Sequence, residues 1–91
     1  MRNRGVMQKF CDLADLPDEP LNGLPLVEIA GDRRVLIERH LGVTEYTKER
    51  ILIKVRMGQI CVYGDEMELS SMTKGQLIIR GQIAGVHIIK G

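Results

Sequence analysis

The sequence of 91 residues is poor in aromatic side chains and has almost no excess of positive charge. Aromatics make up 3% of the chain, as Phe10, Tyr46 and Tyr63, and tryptophan is absent. Proteins that bind single-stranded nucleic acid need several exposed aromatics on which bases stack. The 13 lysines and arginines are balanced by 12 acidic residues, so there is no basic excess to neutralise phosphates. Both shortages argue against a nucleic-acid-binding protein.

Long apolar runs are also missing. No stretch approaches the roughly 18 apolar residues that span a membrane, and the N-terminus lacks the apolar stretch of about 7 residues that a secretory signal requires. These absences predict a cytoplasmic protein without a membrane span. The chain has only two cysteines, Cys11 and Cys61, and in a reducing cytosol we expect both to be free thiols.

The length and composition are those of one small globular domain. Apolar residues make up 44% and charged residues 27% of the chain, which argues against general disorder. Residues 1–23 are predicted to form an N-terminal helix and linker, because Val6, Phe10, Leu13 and Leu16 have near-helical spacing and Pro17 then ends the helix. Residues 24–91 are predicted to form a β domain.

Short runs rich in Ile and Val alternate with Gly and Asp turns throughout that β domain. The predicted strands are Leu26–Ala30, Arg34–Arg39, Val43–Tyr46, Arg50–Arg56, Gln59–Tyr63, Met67–Ser70, Gln76–Arg80 and Ile83–Ile89. This spacing predicts an all-β protein, namely a small antiparallel meander curled into a roll or sandwich. A short β-solenoid is the alternative, which we rank lower because parallel neighbours need longer connections.

Two patterns indicate which strand faces are covered. Ile51, Ile53 and Val55 share one face of a strand, and Arg50, Lys54 and Arg56 share the other, which could meet anionic lipid but is more typical of a solvated face. Segments 59–63 and 86–89 are apolar on both faces. They are predicted to be covered on both sides, by a curled sheet, by the N-terminal helix or by a partner. Together with open sheet edges they predict self-association or strand addition.

Residues that could carry chemistry are few. Glu38 and His40 share a strand face, where a carboxylate could orient an imidazole, but no nucleophile or second base accompanies them, so we do not expect an enzyme. The four residues that could bind zinc are dispersed singly, without the paired spacing of structural zinc sites: Cys11, His40, Cys61 and His87. The glycines match neither of the two common phosphate-binding motifs, G-x-x-x-x-G-K-[ST] and G-x-G-x-x-G. We therefore predict no catalytic residues, no metal and no cofactor.

Several ordered motifs resemble the YabP/YqfC sporulation family, and its YqfC branch in particular. They are Leu16-Pro17-Asp18, Leu24–Gly31, Val35–Val43, Gly58–Gly64 and Leu77–Val86. The second half of Val35–Val43 is similar to the family's Ile-Glu-Asn-His-x-Gly signature, with Arg39 where asparagine is usual. Gly58–Gly64 is similar to its Gly-x-Ile-x-Ile-x-Gly strand. The resemblance covers about residues 14–90.

This resemblance implies a sporulation protein made in the mother cell of an endospore-forming bacterium and required for spore maturation. It implies no catalytic residue and no cofactor, and it implies action beside a membrane protein, with the YqfD type as the leading candidate. A non-catalytic adaptor or structural module of the developing spore envelope is therefore the leading hypothesis. The alternatives are a small ligand-binding or regulatory β domain and an enzyme that uses Glu38 and His40.

Overall fold

The computed structural model describes residues 23–91 and is all-β, as the sequence predicts. Its six strands are β1 (Leu26–Ala30), β2 (Arg34–Glu38), β3 (Gly42–Tyr46), β4 (Arg50–Val55), β5 (Gly58–Met72) and β6 (Gln76–Lys90). The predicted N-terminal helix and its linker lie outside the described residues, apart from Gly23.

The strands form one sheet in the order β1-β2-β6-β5-β4-β3. Every pair of neighbouring strands in residues 23–91 is antiparallel, which confirms the antiparallel prediction and excludes the solenoid for this part of the chain. Strands β3 to β6 form a meander. The β1–β2 hairpin departs from meander order, because β2 pairs with the first residues of β6 and not with β3.

Strands β5 and β6 form a hairpin of two 15-residue strands that bends near its middle. The predicted turns at Gly64-Asp65-Glu66 and Gly81-Gln82 do not reverse the chain, so the eight predicted strands become six. The register of the hairpin shifts between Tyr63 and Gly64 and again between Asp65 and Glu68. Such bulges bend a strand without ending its pairing.

The bend brings the two ends of the sheet together around one core. Strands β2 and β4 are separated in the sheet by β6 and β5, yet their buried side chains belong to the same cluster. The cluster consists of Val35, Ile37, Ile51, Ile53, Val55, Ile60, Val62, Met67, Leu77 and Ile79. The sheet is therefore curled into a roll with its apolar face inside, which also confirms the predicted inward face of β4.

Each outer hairpin docks its turn against the bend of the β5–β6 hairpin. The turn between β1 and β2 accepts backbone hydrogen bonds from β6, and the turn between β3 and β4 accepts them from β5. The bonds are Gly81 N–H to the Arg33 carbonyl (3.2 Å), Ile83 N–H to Asp32 (2.7 Å), Gly64 N–H to Glu49 (3.1 Å) and Met67 N–H to Lys48 (2.9 Å). These bonds close the roll at the bend.

The two segments that we predicted to be covered on both faces behave differently. Ile60, Cys61 and Val62 are buried, but Tyr63 is exposed. In the other segment Val86 is half-buried and residues 87–89 are exposed. The curled sheet of residues 23–91 therefore does not cover residues 87–89. Cover of these residues by the N-terminal helix or by a partner stays a prediction.

Candidate functional site

His40 lies in the connection between β2 and β3, at the open end of the roll, opposite the bend. It is 6% exposed and is the one buried polar residue in the described part of the chain. Its Nε2 lies 3.0 Å from the Thr73 carbonyl oxygen, and its Nδ1 accepts a bond of 3.1 Å from the Gly42 N–H. This pairing assigns the neutral tautomer with its proton on Nε2. The ring joins β3 to the turn of the β5–β6 hairpin, so its arrangement is that of a structural link.

The predicted pairing of Glu38 with His40 is not formed. The Glu38 carboxylate accepts a bond of 3.1 Å from the Gln76 side chain, whereas both nitrogens of His40 are occupied by backbone groups. Strand β2 ends at Glu38, and Arg39 has a φ of 63°. The simple strand alternation that would place both side chains on one face is therefore interrupted between them.

The backbone at Arg39 has a conformation that is unusual for a residue with a long side chain. A φ of 63° lies in the left-handed region, which asparagine tolerates better than other residues with a side chain. The Arg39 N–H donates to the Gly75 carbonyl, which holds the connection against the β5–β6 turn. The requirement at this position is therefore a backbone conformation.

Replacing Arg39 with asparagine should therefore stabilise the protein by about 0.5–1 kcal/mol, because part of the left-handed backbone penalty is removed. The arginine side chain contributes little, since its contact with Glu38 is 4.0 Å long and exposed. Urea unfolding of Arg39→Asn measures the gain. Arg34→Asn is the matched control: Arg34 lies in strand β2, where asparagine is unfavourable. An equal gain in both variants would contradict the backbone explanation.

Removal of the His40 ring should cost about 2–4 kcal/mol of unfolding free energy, because the Thr73 carbonyl and the Gly42 N–H both lose their partner. His40→Gln and His40→Asn should each recover part of this loss, since each amide can replace one of the two bonds. Chemical unfolding of these variants against His40→Ala tests the expectation. His87→Ala removes an exposed imidazole and should change little; a loss as large as that of His40→Ala would refute the structural role.

The residues considered as metal ligands are only partly brought together. Cys61 on β5 is directly opposite His87 on β6, while His40 lies in a different connection and Cys11 lies outside the described residues. Within residues 23–91, no group of three His, Cys, Asp or Glu side chains is arranged to hold a metal ion. Cys61 is a buried free thiol. The Cys61–His87 proximity could not be read from the sequence, because it depends on the β5–β6 register.

The positive charge on the outer face of β4 is partly neutralised by a carboxylate of the neighbouring strand β3. Arg50 makes a bidentate pair with Glu45 of β3, with a shortest separation of 2.9 Å. The pKa of Arg50 is raised above its usual value, mainly by the hydrogen bond to Glu45 and secondly by the negative charge of Glu45. Lys54 and Arg56 are exposed. The pair with Glu45 reduces the positive potential that Arg50 could offer to an anionic surface.

An open cavity of about 360 Å³ lies beside the bend, lined by Tyr46, Thr47, Lys48, Glu66, Met67 and Glu68. The Tyr46 hydroxyl accepts a bond of 2.9 Å from the Leu69 N–H, so this side chain reaches from β3 across to β5. No buried side-chain polar atom in the described part lacks a hydrogen-bond partner. The cavity is lined largely by polar side chains, and no buried side-chain polar atom in the described residues needs a ligand as its hydrogen-bond partner.

These features define a small antiparallel β-roll in which the buried His40 links two parts of the backbone. A family model described as the YabP family matches residues 25–90, and the chain belongs to that family. The match does not distinguish the YqfC branch from the rest of the family. Searches among curated proteins and among solved structures gave no match. No helix in residues 23–91 is long and apolar enough to cross a membrane.

Proposed function

We propose that this protein is a non-catalytic sporulation protein that acts in the mother cell during maturation of the spore envelope. The observation that carries the proposal is the YabP family match over residues 25–90, which is consistent with a sporulation-related protein. Within this role the chain is a cytoplasmic adaptor or structural module of the YqfC type. Its partner is a membrane protein of the YqfD type, which brings it to the forespore membrane.

The geometry supports an adaptor better than an enzyme that uses Glu38 and His40. A general base needs a nitrogen or oxygen free to reach a substrate proton, whereas both nitrogens of His40 hold backbone groups. An adaptor needs an exposed surface that a partner protein can bind. The roll exposes several large apolar side chains, among them Leu26, Ile29, Ile88 and Ile89. Exposed apolar side chains and open strand edges are features of protein-binding surfaces.

Gene deletion with compartment-specific rescue tests the proposed role. Deletion should leave vegetative growth unchanged and sharply reduce the number of heat-resistant spores. Expression of the wild-type gene from a mother-cell promoter should restore those spores, whereas expression from a forespore promoter should not. Rescue by forespore expression alone would place the action in the other compartment and overturn the proposal.

The same rescue assay tests the absence of a catalytic role for Glu38 and His40. The Glu38→Gln/His40→Gln variant should restore spores once circular dichroism has shown that it folds. A folded variant as defective as the deletion would reveal a specific chemical site there. Affinity capture from sporulating cells in mild detergent should recover a membrane protein of the YqfD type; capture without any membrane protein would contradict the partner.

A ligand-binding or regulatory β domain is the second candidate, and the cavity at the bend is the observation that favours it. Its volume of about 360 Å³ is near the lower limit for small-molecule sites. Lys48 and the two carboxylates of Glu66 and Glu68 would select a ligand with charges of both signs. Lys48→Ala that folds but fails to restore spores would favour this candidate over the adaptor.

A further inference from the structure

The free edges of the roll differ in how well they are protected. Within residues 23–91 the second half of β5 has no strand neighbour on the β4 side. Its Met67 and Leu69 N–H groups instead donate to the Lys48 carbonyl and the Tyr46 hydroxyl. Strand β3 is short, and its register shifts between Val43 and Glu45. Capping and bulges are both ways in which proteins prevent edge-to-edge pairing.

Among the described residues 23–91, nothing protects the last part of β6, residues 85–90, in this way. It pairs with β5 without a register shift, and β2 reaches only as far as Arg80 on its other side. The hydrogen bond from the Gly91 N–H to the Met57 carbonyl makes Met57 and Gly91 a hydrogen-bonded pair, and this shows which of the following pairs are hydrogen-bonded. Since hydrogen-bonded and non-bonded pairs alternate, His87 and Ile89 direct their backbone groups to β5, whereas Val86, Ile88 and Lys90 direct theirs away from the sheet.

Apolar side chains flank this open backbone edge on both faces of the sheet. Ile88 lies opposite Ile60, on the core face, and is 49% exposed; Ile89 lies opposite Gln59, on the outer face, and is 40% exposed. An added strand would cover both side chains and pair the outward backbone groups at the same time. Burial of apolar surface together with backbone pairing is the usual basis of strand addition.

We propose that a second copy of this chain occupies this edge, so that two β6 strands pair antiparallel about a two-fold axis through Ile88. In this register Ile88 lies opposite the partner's Ile88, and Val86 lies opposite the partner's Lys90. The outward groups of all three residues are then paired, in about six backbone hydrogen bonds. No like charges lie opposite one another, so the edge is complementary to itself, as an isologous interface requires.

Strand β1 is the competing edge, and its charge makes it a poorer one. Val27 and Ile29 direct their backbone groups outward. The Arg33 carbonyl accepts from Gly81 of β6, and the Arg39 N–H donates to Gly75 in the β5–β6 turn. These two bonds mean that Val35 and Ile37 face β6, so their partners Ile29 and Val27 face away from β2. A symmetric pairing that uses both residues places Glu28 directly opposite the partner's Glu28. Like charges at directly opposite positions destabilise a strand pair. The proposal therefore assigns the dimer to β6 and not to β1.

Sedimentation velocity of the full chain over a range of concentrations tests this assignment. The wild type should form a dimer, and Ile88→Lys should weaken it about tenfold or more, because two ammonium groups would meet on the axis. Ile29→Lys is the matched control: Ile29 is 51% exposed on the edge of β1, and its substitution should leave the dimer intact. Circular dichroism establishes that each variant is folded.

A second variant separates loss of pairing from loss of fold. Ile88→Pro removes an N–H that points away from β5, and edge strands tolerate proline at such positions; the variant should remain folded and become monomeric. A wild type that stays monomeric at all concentrations would overturn the proposal. So would a dimer that Ile29→Lys disrupts and Ile88→Lys does not. Neither experiment uses sporulating cells. A negative result would therefore contradict the dimer without bearing on the proposed function.

Discussion

Replacement of Ile53 with aspartate should unfold the protein and so abolish the contribution to sporulation that we propose for it. Ile53 lies on β4 in the centre of the core and is fully buried. Removal of its side chain alone costs about 2–5 kcal/mol, and the unpaired carboxylate adds several kcal/mol more. Small domains have a total stability of only about 5–15 kcal/mol. The loss is therefore as large as the whole stability of a chain of this size.

Far-UV circular dichroism and urea unfolding of Ile53→Asp measure this effect, with Lys54→Asp as the matched control. The neighbouring residue Lys54 is on the exposed face of the same strand, so aspartate there introduces the same carboxylate into water. The control should unfold cooperatively, close to the wild type. Cooperative unfolding of Ile53→Asp at a similar midpoint would contradict the assigned inward face of β4.

The interior of the roll could be predicted from the sequence because it depends on local alternation. The period-two pattern of β4 places Ile51, Ile53 and Val55 on one face, and the structure buries them there. The antiparallel arrangement was also predictable, since short turns exclude parallel neighbours. Both inferences concern residues within one strand or one turn of each other.

The arrangement of distant parts could not be predicted in this way. Glycine followed by aspartate occurs both at chain reversals and at bends within a strand. The sequence therefore predicts a turn at Gly64-Asp65-Glu66, where the structure has a bend inside β5. The pairing of β2 with β6 depends on which strands meet after the bend, a long-range contact that local patterns do not encode. The structural role of His40 could not be predicted for the same reason, because its partner Thr73 is 33 positions away in the sequence.

Two motifs that resemble the family, both within the matched residues 25–90, are given a physical meaning by the structure. The signature around His40 builds the connection that joins β3 to the β5–β6 turn through the imidazole and a left-handed backbone. The segment Gly58–Gly64 is the first half of β5, which begins beside the β4–β5 turn and reaches the bend. The first motif therefore fixes the connection from β2 to β3 against the β5–β6 turn, and the second forms the strand that leads into the bend.

Replacement of Gly64 with alanine should destabilise the protein by about 1–3 kcal/mol or more, because a side chain there meets backbone and not a movable neighbour. A Cβ at this position would lie 1.9 Å from the Gln82 carbonyl oxygen, on the strand that crosses the bend. Its φ lies outside the left-handed region in which alanine is strained, unlike that of Gly81 at 149°. The effect of Gly64→Ala is thus a measure of close packing between β5 and β6 alone.

Gly75→Ala supplies the comparison, since nothing lies within 4 Å of the corresponding Cβ. Its unfolding free energy should change by no more than about 0.5 kcal/mol, as is usual at open surface positions. Gly64→Ala should in addition bind a hydrophobic dye, because a bend that cannot close leaves the apolar face of the sheet exposed. If urea unfolding gave the same midpoint for both variants, the close approach of β5 and β6 would not be what curls this sheet into a roll.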